Sequence, residues 1–183
     1  VQENIRYFAF SFGEGGFTPR PLRDIFADRI GDCKDVSKLI CAMLAKMGVE
    51  AWPALVDTRR GFDLGNTQPR LGAFDHCIAM CRHEGRTYWF EGTAVVAQGG
   101  DLEHMAQTDL GHALILKPGA TLTRMMEKTP QLDYEAREVI HLPDRPGAQT
   151  VIEIDYVYRG ARADAVRSDL RHQSLTSYVE DRC

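Results

Sequence analysis

Apolar positions recur first at helical spacing and then at strand spacing. Val36, Leu39, Ile40, Met43, Leu44 and Met47 form one stripe of a helix that Gly48 ends. Before it, Leu22 to Ile30 predicts a short helix with Leu22, Ile25, Phe26 and Ile30 turned inward. Pro19 and Pro21 hold the approach to that helix extended. Val49 to Val56 reads as a strand, and Pro53 within it predicts an edge position. Asp57 to Gly72 is polar and contains Gly and Pro, which predicts a functional or mobile loop forming one wall of a cleft.

Phe74 to Cys81 and Thr87 to Glu91 are the next two strands. With Glu84-Gly85 at the tip of an even-numbered turn, His83 opposes Arg86, Met80 opposes Trp89 and Ile78 opposes Glu91. His76, Ile78 and Met80 then share a face with Trp89 and Glu91, because strand side chains alternate. His76 and Glu91 become diagonal neighbours, roughly 7–8 Å apart at the backbone and bridgeable by their side chains. An odd turn would carry Glu91 to the other face.

Further on, Leu132 to Leu142 and Val151 to Tyr158 are strand-like, joined by a turn across Pro143-Asp144-Arg145-Pro146-Gly147. Ile152, Ile154, Tyr156 and Tyr158 alternate with Glu153, Asp155 and Arg159, the pattern of a half-buried antiparallel strand. Ala161 to Glu180 is helix-permissive, with Val166 and Leu170 a turn apart. The reading is a domain over residues 1–118 and the start of a β-rich module over 119–183. Val1 to Phe12 is apolar with interleaved aromatics, the end of a helix passing into an extended segment. A start at Val1 inside such a segment predicts a piece of a longer protein.

Composition narrows the functional classes. With 44% hydrophobic and 26% charged residues, the 183-residue chain has an ordinary globular balance. A net charge of -4 offers no basic footprint for nucleic acid or an anionic membrane surface. No apolar run approaches membrane-spanning length, and no signal pattern is visible at the N-terminus. Gly13-Glu14-Gly15-Gly16 is not followed by the Gly-Lys-Ser/Thr of a phosphate loop. Five cysteines, at 33, 41, 77, 81 and 183, have no disulfide-framework spacing. A zinc site on Cys77, Cys81, His76 and His83 is disfavoured, since four residues along a strand span roughly 13 Å. No cofactor or metal is expected.

The stretch that carries chemistry is Gly31-Asp32-Cys33-Lys34-Asp35. Asp32 can cap the following helix, which puts Cys33 in its first turn. There the positive end of the helix dipole favours a thiolate, predicting a thiol that titrates below the model value of ~8.5. With His76 on one strand and Glu91 on the next, the chain carries a nucleophile, a base and an orienting acid in the order Cys, His, acid.

Gly31-Asp32-Cys33-Lys34-Asp35, Ala73-Phe74-Asp75-His76 and Tyr88-Trp89-Phe90-Glu91-Gly92-Thr93 together resemble the transglutaminase-like superfamily. Val1-Gln2-Glu3-Asn4-Ile5-Arg6-Tyr7, Gly13-Glu14-Gly15-Gly16 and Gln98-Gly99-Gly100 resemble, more narrowly, the transglutaminase-like domain of large bacterial multidomain proteins. The resemblance covers residues 1–118. It implies an α+β fold with a papain-like core, in which a Cys-bearing helix packs on an antiparallel sheet. It also implies Cys33, His76 and Glu91 as catalytic residues, a protein or peptide substrate, flanking β-rich domains and a bacterial cell-envelope or periplasmic setting.

Where that family carries Asp-Pro-Thr, this chain has Glu91-Gly92-Thr93, so orientation of His76 requires a backbone set slightly further back. The Cys33 N–H is one oxyanion donor, and Tyr7, Gln2 or a segment outside the chain supplies the second. The expected activity is cysteine-dependent acyl transfer on an amide or peptide through a thioester, by a peptidase, amidase or transglutaminase. The alternative is a binding module that kept the fold and lost a working triad.

Overall fold

The computed structural model describes residues 1–9, 16–93, 102, 107–126, 133–145 and 147–180. Gly13 to Gly15, Gln98-Gly99-Gly100, Leu132 and Cys183 lie outside the described residues. The fold is α+β, in two compact units: Val1–Ala97 with Gln107–Lys128, and Gln98–Ala106 with Thr129–Cys183.

In the first unit a two-residue strand β1 (Arg6–Tyr7) pairs in parallel with β2 (Ile30–Gly31). Between them lies helix α1 (Leu22–Asp28), and β2 runs directly into helix α2 (Cys33–Lys46). Then come β3 (Glu50–Val56), β4 (His76–His83), β5 (Arg86–Phe90), β6 (His112–Ile115) and β7 (Leu122–Arg124). They form one antiparallel sheet in the order β5-β4-β3-β6-β7. Because β6 and β7 pair with each other, the sequence boundary at residue 118 falls inside this sheet.

Helix α2 packs on the sheet, but its inward face is rotated from the apolar stripe. Val36 and Leu39 are buried, and so are Ser37 and Cys41, whereas Met43 is 50% and Met47 75% exposed. Ser37 can face β4 because its hydroxyl donates to the Cys77 carbonyl at 3.0 Å, which removes the penalty for burying it. Val36 and Leu39 meet Ile5 and Ile25 in a small cluster. Phe26 points outward, 57% exposed, while Ile25 and, partly buried, Leu22 form the inner face of α1. The larger core is formed by Ala54, Val56, Ile78, Met80, Trp89, Ala113, Ile115 and Met125.

Pro53 does not mark an edge: β3 is the central strand. The Pro53 carbonyl accepts from Leu116 N at 2.8 Å, and the missing N–H faces the same side, past the last β6 ladder partner of β3 at Ala54. The imino nitrogen therefore costs no bond to β4, and the β6 ladder stops at Ala54. Glu84 (φ 49°) and Gly85 (φ 77°) make the two-residue turn of the β4–β5 hairpin. The register is His83↔Arg86 and Met80↔Trp89, the one that an even-numbered turn predicts.

The loop after β3 is tied down rather than loose. Asp57 accepts from the N–H groups of Arg59 and Arg60 at 2.9 and 2.7 Å, and the Gly61 carbonyl accepts from His112 N at 2.9 Å.

In the second unit β8 (Tyr134–His141) and β9 (Val151–Tyr158) form an antiparallel hairpin, followed by α3 (Gly160–His172) and α4 (Leu175–Glu180). The Tyr134, Tyr156 and Tyr158 rings stack on one face. That face is not half-buried among the described residues: Ile152, Ile154 and Tyr156 are all exposed, because a two-stranded ribbon has no second layer of its own.

Candidate active site

Three elements converge on one point. Asp32 is the N-cap of α2 and accepts from the N–H groups of Lys34 and Asp35 at 3.1 and 3.2 Å, with the Lys34 ammonium on its second oxygen. The cap leaves Cys33 at the first helical position, half-buried and unoxidised. Gly31 lets the chain enter the helix tightly, since a Cβ there would sit 3.0 Å from Asp35 Cβ. Asp35, only 1% exposed, receives Arg20 N at 2.8 Å and Arg20 Nε at 3.0 Å, which ties the Pro19–Pro21 segment to the first turn.

The second element is the start of β4, which carries His76, and the third is the end of β5, which leads into Glu91. His76 Nε2 and Glu91 Oε2 are 2.6 Å apart. The other carboxylate oxygen of Glu91 accepts from Thr93 N at 2.9 Å and from Thr93 Oγ1 at 2.6 Å. Both oxygens are therefore held, and the carboxylate has a fixed orientation. The backbone is pinned as well. Gln2 Nε2 donates to the Glu91 carbonyl at 2.8 Å, and Gly92 lies so close to α2 that a Cβ would meet Val36 Cγ1 at 2.5 Å.

The ring also interacts with the Cys33 side chain. Burial pushes the imidazolium down. Hydrogen bonding to Cys33 and Glu91, with their charges, outweighs it and raises His76 to about 10. Burial pushes Glu91 up, and the bonds from His76 and Thr93 more than reverse this, leaving it below its ordinary value. With Nε2 on Glu91, Nδ1 is the ring nitrogen left for the sulfur.

The other described cysteines are chemically quiet. Cys41, Cys77 and Cys81 are buried between α2 and the sheet, and burial pushes the first two up to about 12 and also raises Cys81. Among the described residues no three His, Cys, Asp or Glu side chains gather as metal ligands, and His83 lies at the hairpin turn, away from Cys77.

The structure thus brings together Cys33, His76 and Glu91, the residues picked out by spacing and register. Gln2, Thr93, Arg20 and Gly92 also build the site. Thr93 and Gly92 were visible as neighbours of Glu91, but nothing in a sequence tells that an amide at position 2 meets a carbonyl at 91.

No family model matches the chain, and no curated protein does. Among solved structures the chain is similar to the crystal structure of "a putative protease" from Parabacteroides distasonis ATCC 8503, with 15% identity and a TM-score of 0.49. That similarity covers 70% of this chain and 23% of the other, so the chain spans about a quarter of that protein's length.

Proposed function

We propose that the protein is a cysteine-dependent acyl-transfer enzyme acting on an amide or peptide through a thioester. The observation that carries this reading is the His76 ring, which engages Cys33 and meets the oriented Glu91 carboxylate at 2.6 Å. A histidine raised to about 10 is an imidazolium at neutral pH, the counter-charge that a Cys33 thiolate needs.

Cys33 Sγ bonds to the carbonyl carbon and the C=O electron pair moves to oxygen. As the pair returns, the C–N bond breaks and the imidazolium passes its Nδ1 proton to the leaving nitrogen. Glu91 stays charged, holds the ring and stabilises its cation. In the second half, water or an amine gives a proton to His76 as it attacks the thioester, and Cys33 leaves as thiolate. Water makes the reaction hydrolysis and an amine makes it transamidation.

Incubation with an activated ester, followed by intact and peptide mass spectrometry, tests this. An acyl group on Cys33, absent in Cys33→Ala and slowed in His76→Ala, is expected. No adduct in the folded protein would favour the non-catalytic binding module, a reading that rests on Glu91-Gly92 standing where the resembled family carries Asp-Pro.

A further inference from the structure

A tetrahedral intermediate on Cys33 needs hydrogen-bond donors aimed at the oxygen as it becomes an oxyanion. One donor is in place: the Asp32 cap serves Lys34 and Asp35, so the first-turn N–H of Cys33 has no acceptor within the helix. Gln2 gives one of its two amide N–H groups to the Glu91 carbonyl at 2.8 Å, so its side chain is a clamp on the backbone of the acid.

Tyr7 is placed differently. β1 runs parallel to β2 with Tyr7 opposite Gly31, two residues before the nucleophile. Arg6 N to Arg29 O at 2.8 Å and Phe8 N to Gly31 O at 3.0 Å hold the backbone on both sides of it. The side chain is 47% exposed, open to an incoming ligand. Burial, and then the charges of Cys33, Asp32 and Glu91, raise the phenol above its ordinary value, so it remains a neutral O–H within the field of the site. Among the described residues the hydroxyl has no hydrogen-bond partner.

We infer that the Tyr7 hydroxyl is the second oxyanion donor, acting with the Cys33 N–H on the carbonyl oxygen of the amide or ester substrate. The role rests on the acyl-transfer function proposed above. During attack the C–S bond forms and the C=O pair collects on oxygen, where both donors meet it. On collapse the pair returns and the leaving group takes its proton from His76. Tyr7 keeps its own proton throughout, which separates it from a general acid.

Tyr7→Phe in the full chain, compared with wild type, tests this in two reactions. Single-turnover acylation by p-nitrophenyl acetate passes through an oxyanion, whereas alkylation of Cys33 by iodoacetamide does not. Loss of one donor costs ~10²–10³ in rate in a closed site, so at this half-open one a fall of ~10–10² is expected, with alkylation unchanged. Acylation within twofold of wild type overturns the role. So does a parallel loss of both reactions, which would place Tyr7 in the folding of β1 or in thiol activation.

The matching thionoester gives a second readout, since sulfur is a poor acceptor. Its rate deficit relative to the ester should shrink in Tyr7→Phe, and an unchanged deficit also overturns the role. Wild type that alkylates at Cys33 but is never acylated refutes acyl transfer itself, and Tyr7 with it, before any variant is made.

Discussion

Shortening the acid by one methylene, Glu91→Asp, is the sharpest probe of how the triad is built. The Glu91 backbone is clamped by Gln2 Nε2 at 2.8 Å, and the adjacent Gly92 lies against α2 with no room for a Cβ. It cannot follow a shorter side chain inward. One C–C bond is about 1.5 Å, so the 2.6 Å contact with His76 Nε2 opens to about 4 Å, outside hydrogen-bond range. The charge survives but the orientation does not. Glu91→Gln does the reverse: it keeps length and contact and removes the charge. Two of the four interactions that raise His76 come from Glu91, so its titration should fall from about 10 towards 6.5.

Both variants should fold and both should acylate more slowly, by ~10–10² at neutral pH, within the ~10⁴ ceiling for such changes in a triad. Single-turnover ester kinetics measure the rates, and ¹H–¹⁵N spectra of the ring across pH measure the titration. Equal rates for wild type, Gln and Asp would refute the orienting role. Asp matching wild type while Gln falls would show that the backbone moves and that the clamp is not rigid.

Mass-spectrometric mapping of iodoacetamide labelling should find Cys33 modified before Cys41, Cys77 and Cys81, which burial holds as thiols; faster labelling of any of those three contradicts the assignment. Arg20→Ala removes the guanidinium from one oxygen of buried Asp35 while the backbone N–H of residue 20 stays on the other, and should cost about 1–3 kcal/mol in urea melts. The double change Arg20→Ala with Asp35→Asn should recover part of that loss. Gly92→Ala drives a methyl into Val36 and Ile40, at 2.5 and 2.6 Å, and should destabilise by about 1–3 kcal/mol and slow acylation by displacing Glu91. The His76–Glu91 pair should also shape stability against pH. His76, raised to about 10, contributes fully below 6.5, and its contribution is lost as pH rises through about 10. Glu91, lowered, contributes above 4.5, and its contribution is lost as pH falls through its folded value. The stability gap between wild type and His76→Gln should therefore shrink from pH 7 to pH 11, a trend that melts across that range would expose.

Periodicity and local chemistry carried much of this site. Helical spacing after Asp32 places Cys33 at a first turn, and the Asp32 side chain does cap it. Two positive-φ residues at Glu84-Gly85 set a register that puts His76 and Glu91 within reach. These are short-range facts, encoded in a few adjacent residues. The neighbours of each element are not. Pro53 looked like an edge because a proline lacks a donor, yet its nitrogen faces β6, where the ladder ends at Ala54, and leaves the pairing with β4 intact. The apolar stripe of α2 named Met43 and Met47, whereas Ser37 and Cys41 face the sheet because a β4 carbonyl waits for the hydroxyl. The use of glutamate as the acid was legible only as a departure from the Asp-Pro-Thr of the family that the sequence resembles. What makes it workable is tertiary: Gln2 on its carbonyl, Thr93 on its second oxygen, and a glycine that lets its backbone rest against α2. Periods of 3.6 and 2 residues decide which side chains share a face; only the packed chain decides what that face meets.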